Sequence, residues 1–121
     1  MSQPAVKFTV PLVPPSVNHY KVPLWKRRGF YVTAAAKAFK SAVAMFRRGA
    51  VFGSEPCEVA LVIYLGKGGR GDADNFGKVC LDSLVDCGVI ESDAAVKRLQ
   101  IEKFRDPANP RTEFTIKSLS S

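Results

Sequence analysis

The chain has 121 residues, of which 46% are hydrophobic and 24% charged, a balance that excludes a disordered or fibrous protein and suits one compact domain. Eighteen Lys and Arg against eleven Asp and Glu leave a net charge of +7, enough to concentrate a polyanion at the surface and to make nucleic acid the first partner to consider. No segment has the length of a membrane span, and Met1 to Leu12 is broken by Pro11 before it can form the apolar core of a signal peptide, so no membrane partner and a cytoplasmic location are expected.

Residues 7–13 are rich in β-branched and aromatic side chains and predict a first strand. Pro14-Pro15-Ser16 then forbids continuation of a regular ladder or helix. Between residues 20 and 32 the basic run Lys26-Arg27-Arg28-Gly29 lies between Trp25 and Phe30-Tyr31, which predicts an irregular hairpin turning near the glycine. Thr33 is placed to cap a helix over residues 34–48, where alanines favour helix and Phe39, Val43 and Phe46 recur at three- and four-residue spacing before Gly49. Arg47 and Arg48 in its last turn suit the negative end of the helix dipole, a plain structural role.

Residues 57–65 are apolar almost throughout and predict a central strand covered on both faces. A glycine-rich loop over 66–71 leads to a second helix from about Asp74 to Cys87, with Phe76, Val79, Cys80, Leu84 and Cys87 as its apolar stripe and Gly88 as its stop. On that helix Cys80 and Cys87 stand about 10 Å apart, too far to bridge, and with Cys57 they are expected to be free thiols in a reducing compartment. After Asp93, residues 96–104 and 112–119 alternate apolar with polar and are expected to form a C-terminal β-hairpin through Asp106-Pro107 and Asn109-Pro110. The order of elements predicts an α+β fold, a single domain over 1–121 in which a mixed β-sheet is packed by two α-helices.

The chemistry concentrates in Gly71-Asp72-Ala73-Asp74-Asn75-Phe76-Gly77-Lys78, where two carboxylates stand at the entry of a loop into a helix. An Asp-x-Asp pair in that position can aim oxygens at one hard cation, with water and phosphate completing the octahedron that Mg²⁺ favours. Asp93, at the head of the next strand, is the candidate third carboxylate if the chain returns alongside the helix start. Lys78, four residues after Asp74, shares its helical face and can steady charge developing on a phosphate. The same residues also admit plain roles: Asp72 and Asp74 as cap and first-turn acid, Asp93 as a turn residue, and Asp74, Lys78, Asp82 and Asp86 as an i, i+4 series on a solvated face. Zinc is disfavoured by a single histidine, His19, and the absence of a Cys-x-x-Cys pair. The 66–71 loop lacks both the Walker and the dinucleotide patterns.

Taken in order, Pro14-Pro15-Ser16-Val17-Asn18-His19-Tyr20, Tyr31-Val32-Thr33 before a helix containing Phe39-Lys40, Asp72-Ala73-Asp74-Asn75 followed by Lys78, and Gly88-Val89-Ile90-Glu91-Ser92-Asp93-Ala94 resemble the RusA Holliday junction resolvases of bacteria and their phages. The likeness runs from about Phe8 to Lys117. It implies a homodimeric, Mg²⁺-dependent endonuclease, with Mn²⁺ able to substitute, that nicks opposing strands of branched DNA, four-way junctions above all. By position, Asp72, Asp74 and Asp93 correspond to the family's metal-binding acids and Lys78 to its essential lysine. Gly71 and Ser92 depart from the family's pattern, which often has a basic residue and a second acid there. Lys67 and Arg70 from the glycine loop and Lys26, Arg27 and Arg28 from the hairpin are candidate DNA-binding residues through phosphate contacts. Two rivals remain at this stage: a noncatalytic basic DNA- or RNA-binding module, and a dimeric protein-interaction domain.

Overall fold

A computed structural model describes residues 5–15, 21–23, 30–32, 34–66 and 73–119. Its elements are β1 (Val6–Val10), β2 (Lys21–Pro23), β3 (Phe30–Val32), α1 (Ala34–Phe46), β4 (Cys57–Leu65), α2 (Ala73–Asp86), a 3-10 turn (Asp93–Ala95), β5 (Val96–Arg105) and β6 (Arg111–Ser118). β2 and β3 pair antiparallel with Pro23 opposite Phe30, the arms of the hairpin expected around the basic run. Its turn, with Lys26, Arg27 and Arg28, lies outside the described residues, as does Thr33.

The main sheet has the order β1-β6-β4-β5. β4 runs parallel to β5, with Cys57 opposite Val96 and Leu65 opposite Arg105. It runs antiparallel to β6, which pairs antiparallel with β1. The sheet is thus mixed and carries two helices, as the α+β expectation required. The expected C-terminal hairpin is corrected: β5 and β6 are the predicted strands, but β4 lies between them. The link from Asp106 to Pro110 steps over the end of β4 rather than folding back on its neighbour. Asp106 N–H donates to Leu65 O at 2.9 Å, Arg111 ties the link to Asp106 at 2.9 Å, and a Cβ on Gly66 would meet Pro110 at 3.1 Å. A glycine at 66 lets the crossing strand end and the link approach this closely.

β4 alternates strictly between buried and half-buried positions. Its Cys57, Val59, Leu61, Ile63 and Leu65 side is sealed, while the Glu58, Ala60, Val62 and Tyr64 side is only partly covered. The strand is central, yet it is not covered on both faces as its composition suggested, because both helices contribute to the core on the sealed side. There Ala36, Phe39 and Val43 of α1 and Val79, Cys80 and Leu84 of α2 join Val59, Leu61, Phe114 and Ile116 in one cluster. Phe114 stacks on Phe8 at 4.8 Å between centroids and meets Phe39 at 6.3 Å, so one ring links two strands to α1.

The helices stop where their sequences say. α1 ends at Phe46, two residues before the predicted boundary, and the chain leaves through left-handed Arg48 (φ 58°) and Gly49 (φ 74°). Arg47 serves the neighbouring helix: its guanidinium donates to the Cys87 carbonyl. α2 closes with a Schellman motif, Gly88 N–H to Val85 O at 3.1 Å and Val89 N–H to Leu84 O at 2.9 Å, around Gly88 at φ 85°. Cys57, Cys80 and Cys87 are all free, as expected. Burial raises the Cys80 thiol pKa far above its usual value. Among the described residues no helix is long and apolar enough to cross a membrane.

Because Phe114 is fully buried and holds β1, β6 and α1 together, Phe114→Ala is expected to cost about 3–5 kcal/mol. Urea unfolding of the two proteins measures it; a loss under about 1 kcal/mol would contradict this packing.

Candidate active site

The β4–α2–β5 unit positions every candidate side chain that the structure describes. α2 starts over the C-terminal end of β4: Phe76 is buried against Ile63 and Leu65, and the backbone of Asp74 lies in the first turn of the helix. Backbone N–H groups at the start of a helix favour anions. Gly77 brings the helix close to β5, since a Cβ there would meet Ile101 at 3.1 Å and Leu99 at 3.5 Å. Asp72, Lys67 and Arg70 lie outside the described residues.

Lys78 is exposed, and its ammonium stands 3.5 Å from an Asp82 carboxylate oxygen. At that length the pair holds the lysine loosely and leaves its head able to swing toward a ligand. The i, i+4 series is not a merely solvated ladder, because Asp86 is bound to Lys40 of α1 at 2.8 Å.

Two cations not singled out from the sequence lie at the same end of the sheet. Lys103 and Arg105 stand in register with Ile63 and Leu65, and Arg105 donates to Gly66 O at 3.1 Å, where the chain leaves β4 for α2. Their signal was present in the alternation of residues 96–105, which puts both on the side of Ile101. Behind them, on the half-covered face, Phe104 stacks on Tyr64 at 5.7 Å and the Arg111 guanidinium lies 3.7 Å over the Tyr64 ring. The Asp106 carboxylate first, and Glu113 next, raise the Arg111 pKa above its already high value.

Asp93 stands at the other end. It opens the 3-10 turn before β5, whose first residue Val96 pairs with Cys57 at the N-terminal end of β4. Ser92 caps that turn, its hydroxyl accepting from Ala94 N–H at 3.2 Å. The departure at Ser92 therefore has a local role: it holds Asp93 at the head of the turn, where the residue is exposed. The segment is tied down by Glu91 N–H to Gly53 O at 2.9 Å and a parallel bridge between Gly53 and Ile90.

The expectation that Asp93 returns beside the helix start is corrected for a single chain. Parallel pairing makes β4 and β5 begin at the same end, so α2 must carry the chain back along the whole sheet. Its 14 residues, at about 1.5 Å each, span roughly 20 Å, and Asp74 and Asp93 flank that length. Among the described residues no group of three His, Cys, Asp or Glu is placed to hold a metal ion. The carboxylates suit a hard divalent cation chemically, but one chain does not deliver Asp93 to the Asp74 end.

The chain matches the family model described as endodeoxyribonuclease RusA over residues 11–117, a span that contains Asp72, Asp74, Lys78 and Asp93. No individual curated protein matches it significantly.

Since among the described residues Lys78 makes only a long, exposed ion pair, Lys78→Ala is expected to change folding stability by less than about 0.5 kcal/mol. Thermal or urea unfolding checks this; a large loss would assign the lysine a structural role.

Proposed function

This chain belongs to the RusA family of Holliday junction resolvases, and on that premise we propose that it is a Mg²⁺-dependent endonuclease that nicks paired strands of four-way DNA junctions in recombination and repair. The observation that carries the reading is the family match across a motif, Asp72-Ala73-Asp74-Asn75, set where β4 hands over to α2. The basic balance of the chain supports a polyanionic substrate. Its place of action is taken to be the cytoplasm of a bacterial or phage-infected cell.

Asp72, Asp74 and Asp93 are the proposed holders of the cation, which when bound supplies Lewis acidity toward a phosphoryl oxygen and makes water a stronger acid. Lys78 brings its ammonium to the scissile phosphate and steadies the charge that builds there. The first turn of α2, with Lys103 and Arg105 beside it, receives the phosphate backbone, and Lys26, Arg27, Arg28, Lys67 and Arg70 extend that contact. These groups position the strand and carry no base readout.

The separation of Asp74 from Asp93 supports a homodimer in which the two ends come from different chains. In the dimer proposed, the two-fold axis would bring the head of one β5 near the start of its partner's α2 and repeat the arrangement on the opposite side. Two equivalent sites then face two strands related by the same symmetry, as paired nicking of a junction needs.

Purified protein is expected to cleave a synthetic four-way junction only with Mg²⁺ or Mn²⁺, its binding weakening steeply as salt rises. Asp74→Asn is expected to lower cleavage at least about a thousandfold while leaving junction affinity within a few fold. Junction binding without cleavage in either metal would instead establish a noncatalytic DNA-binding module.

A further inference from the structure

Among the described residues β5 is an edge strand: the sheet order leaves it paired with β4 on one side only. It is ten residues long and exposed at eight of them, Leu99 by 40% and Phe104 by 50%. A long exposed edge presents unpaired backbone donors and acceptors to another chain. Lys97 and Lys103 are of the kind that discourages indiscriminate pairing at such an edge, so the charge pattern decides what it accepts.

That pattern is self-complementary. In Arg98-Leu99-Gln100-Ile101-Glu102 an aliphatic residue flanks Gln100 on each side and the outer positions carry opposite charges. We propose that β5 pairs antiparallel with the β5 of a second copy of this chain about a two-fold axis at Gln100, joining two four-stranded sheets into one of eight strands. Arg98 then faces the partner's Glu102, Leu99 faces the partner's Ile101, and Gln100 faces the partner's Gln100. Each contact occurs twice except the last. Glu102 makes no ion pair among the described residues. Arg98 now reaches Glu58 at 3.4 Å and has donors enough for both carboxylates.

Register follows from the faces. Arg98, Gln100 and Glu102 stand in register with Glu58, Ala60 and Val62 of the half-covered side, and only slips that keep like faces together are open to the pair. Moving the axis to Ile101 sets Leu99 against the partner's Lys103, and moving it to Leu99 sets Val96 against the partner's Glu102. Either slip loses both ion pairs. The Gln100 axis does set Lys97 against the partner's Lys103, but Lys97 is turned toward Ala94 O, at 2.8 Å.

The inference rests on the dimeric reading above and names its interface. With the axis at Gln100, Asp93, seven residues before it, falls just past the partner's Arg105. That is the level of Leu65, from which the chain departs toward Asp72 and Asp74.

Gln100→Cys tests the register directly. Directly opposed residues lie about 5 Å apart, within disulfide reach, so mild oxidation is expected to convert most of the variant to a covalent dimer on a non-reducing gel. Glu102→Cys is the control: its two copies would be four residues out of register, about 13 Å apart, and no link is expected. Cys57 and Cys80 are buried, and wild type oxidised in parallel reports any contribution from Cys87. Glu102→Arg, which replaces both attractive pairs by repulsive ones, is expected to raise the dimer dissociation constant on the order of tenfold in sedimentation, with circular dichroism confirming the fold. A dimeric Gln100→Cys that does not link, or a Glu102→Arg dimer as tight as wild type, overturns the strand pairing and leaves the dimer standing. A monomeric wild type at micromolar concentration overturns both.

Discussion

Parallel pairing of β4 with β5 obliges the chain to travel the length of the sheet between the two strands, and α2 is the return path. Its apolar stripe buries Phe76, Val79, Cys80 and Leu84, its start lies over the end of β4, and its Schellman close is held by Arg47 from α1. Gly77 gives up helix propensity, about 1 kcal/mol relative to alanine, and in exchange allows contact with Ile101 and Leu99. This one crossover distributes the candidate site residues of the main sheet: Asp74, Lys78, Lys103 and Arg105 toward one end, Asp93 at the other.

Much of this was legible in the sequence because it is local. Thirteen residues of α1 and fourteen of α2 announce themselves through spacing and through Gly49 and Gly88, and the aspartate motif falls at a helix start because its neighbours say so. What escaped was pairing, which is non-local. Residues 96–104 and 112–119 look like a hairpin because two alternating strands flank a short turn, yet nothing in those residues reveals that β4 will come between them. The apolar composition of β4 suggested two covered faces, whereas Glu58 and Tyr64 already marked a side that is only half covered.

The position of Asp93 was open to the same analysis and was missed. A strand, a helix and a strand in succession is the arrangement that parallel pairing requires, and it places the residue before the second strand at the opposite end from the residue before the helix. Adjacency to the helix start would have needed antiparallel strands. Ser92, a departure from the family pattern, is explained once its hydroxyl is seen to cap the turn that presents Asp93. The candidate DNA-binding residues of the glycine loop and the hairpin lie outside the described residues, while Lys103 and Arg105, hidden in a strand's alternation, reach the candidate site through strand register and the bond from Arg105 to Gly66 O.

The proposed sharing of an acidic site between chains would make dimerisation a condition of cleavage. Mixing Asp74→Asn protein with Asp93→Asn protein, each inactive alone, tests that claim most directly. In a shared arrangement the mixed dimer has one site with both substitutions and one with neither, so single-strand nicking of a four-way junction returns to roughly the fraction of dimers that are mixed. If both acids served one chain, every site in the mixture would carry a substitution, and the persistence of zero nicking in a verified mixed dimer would contradict the account.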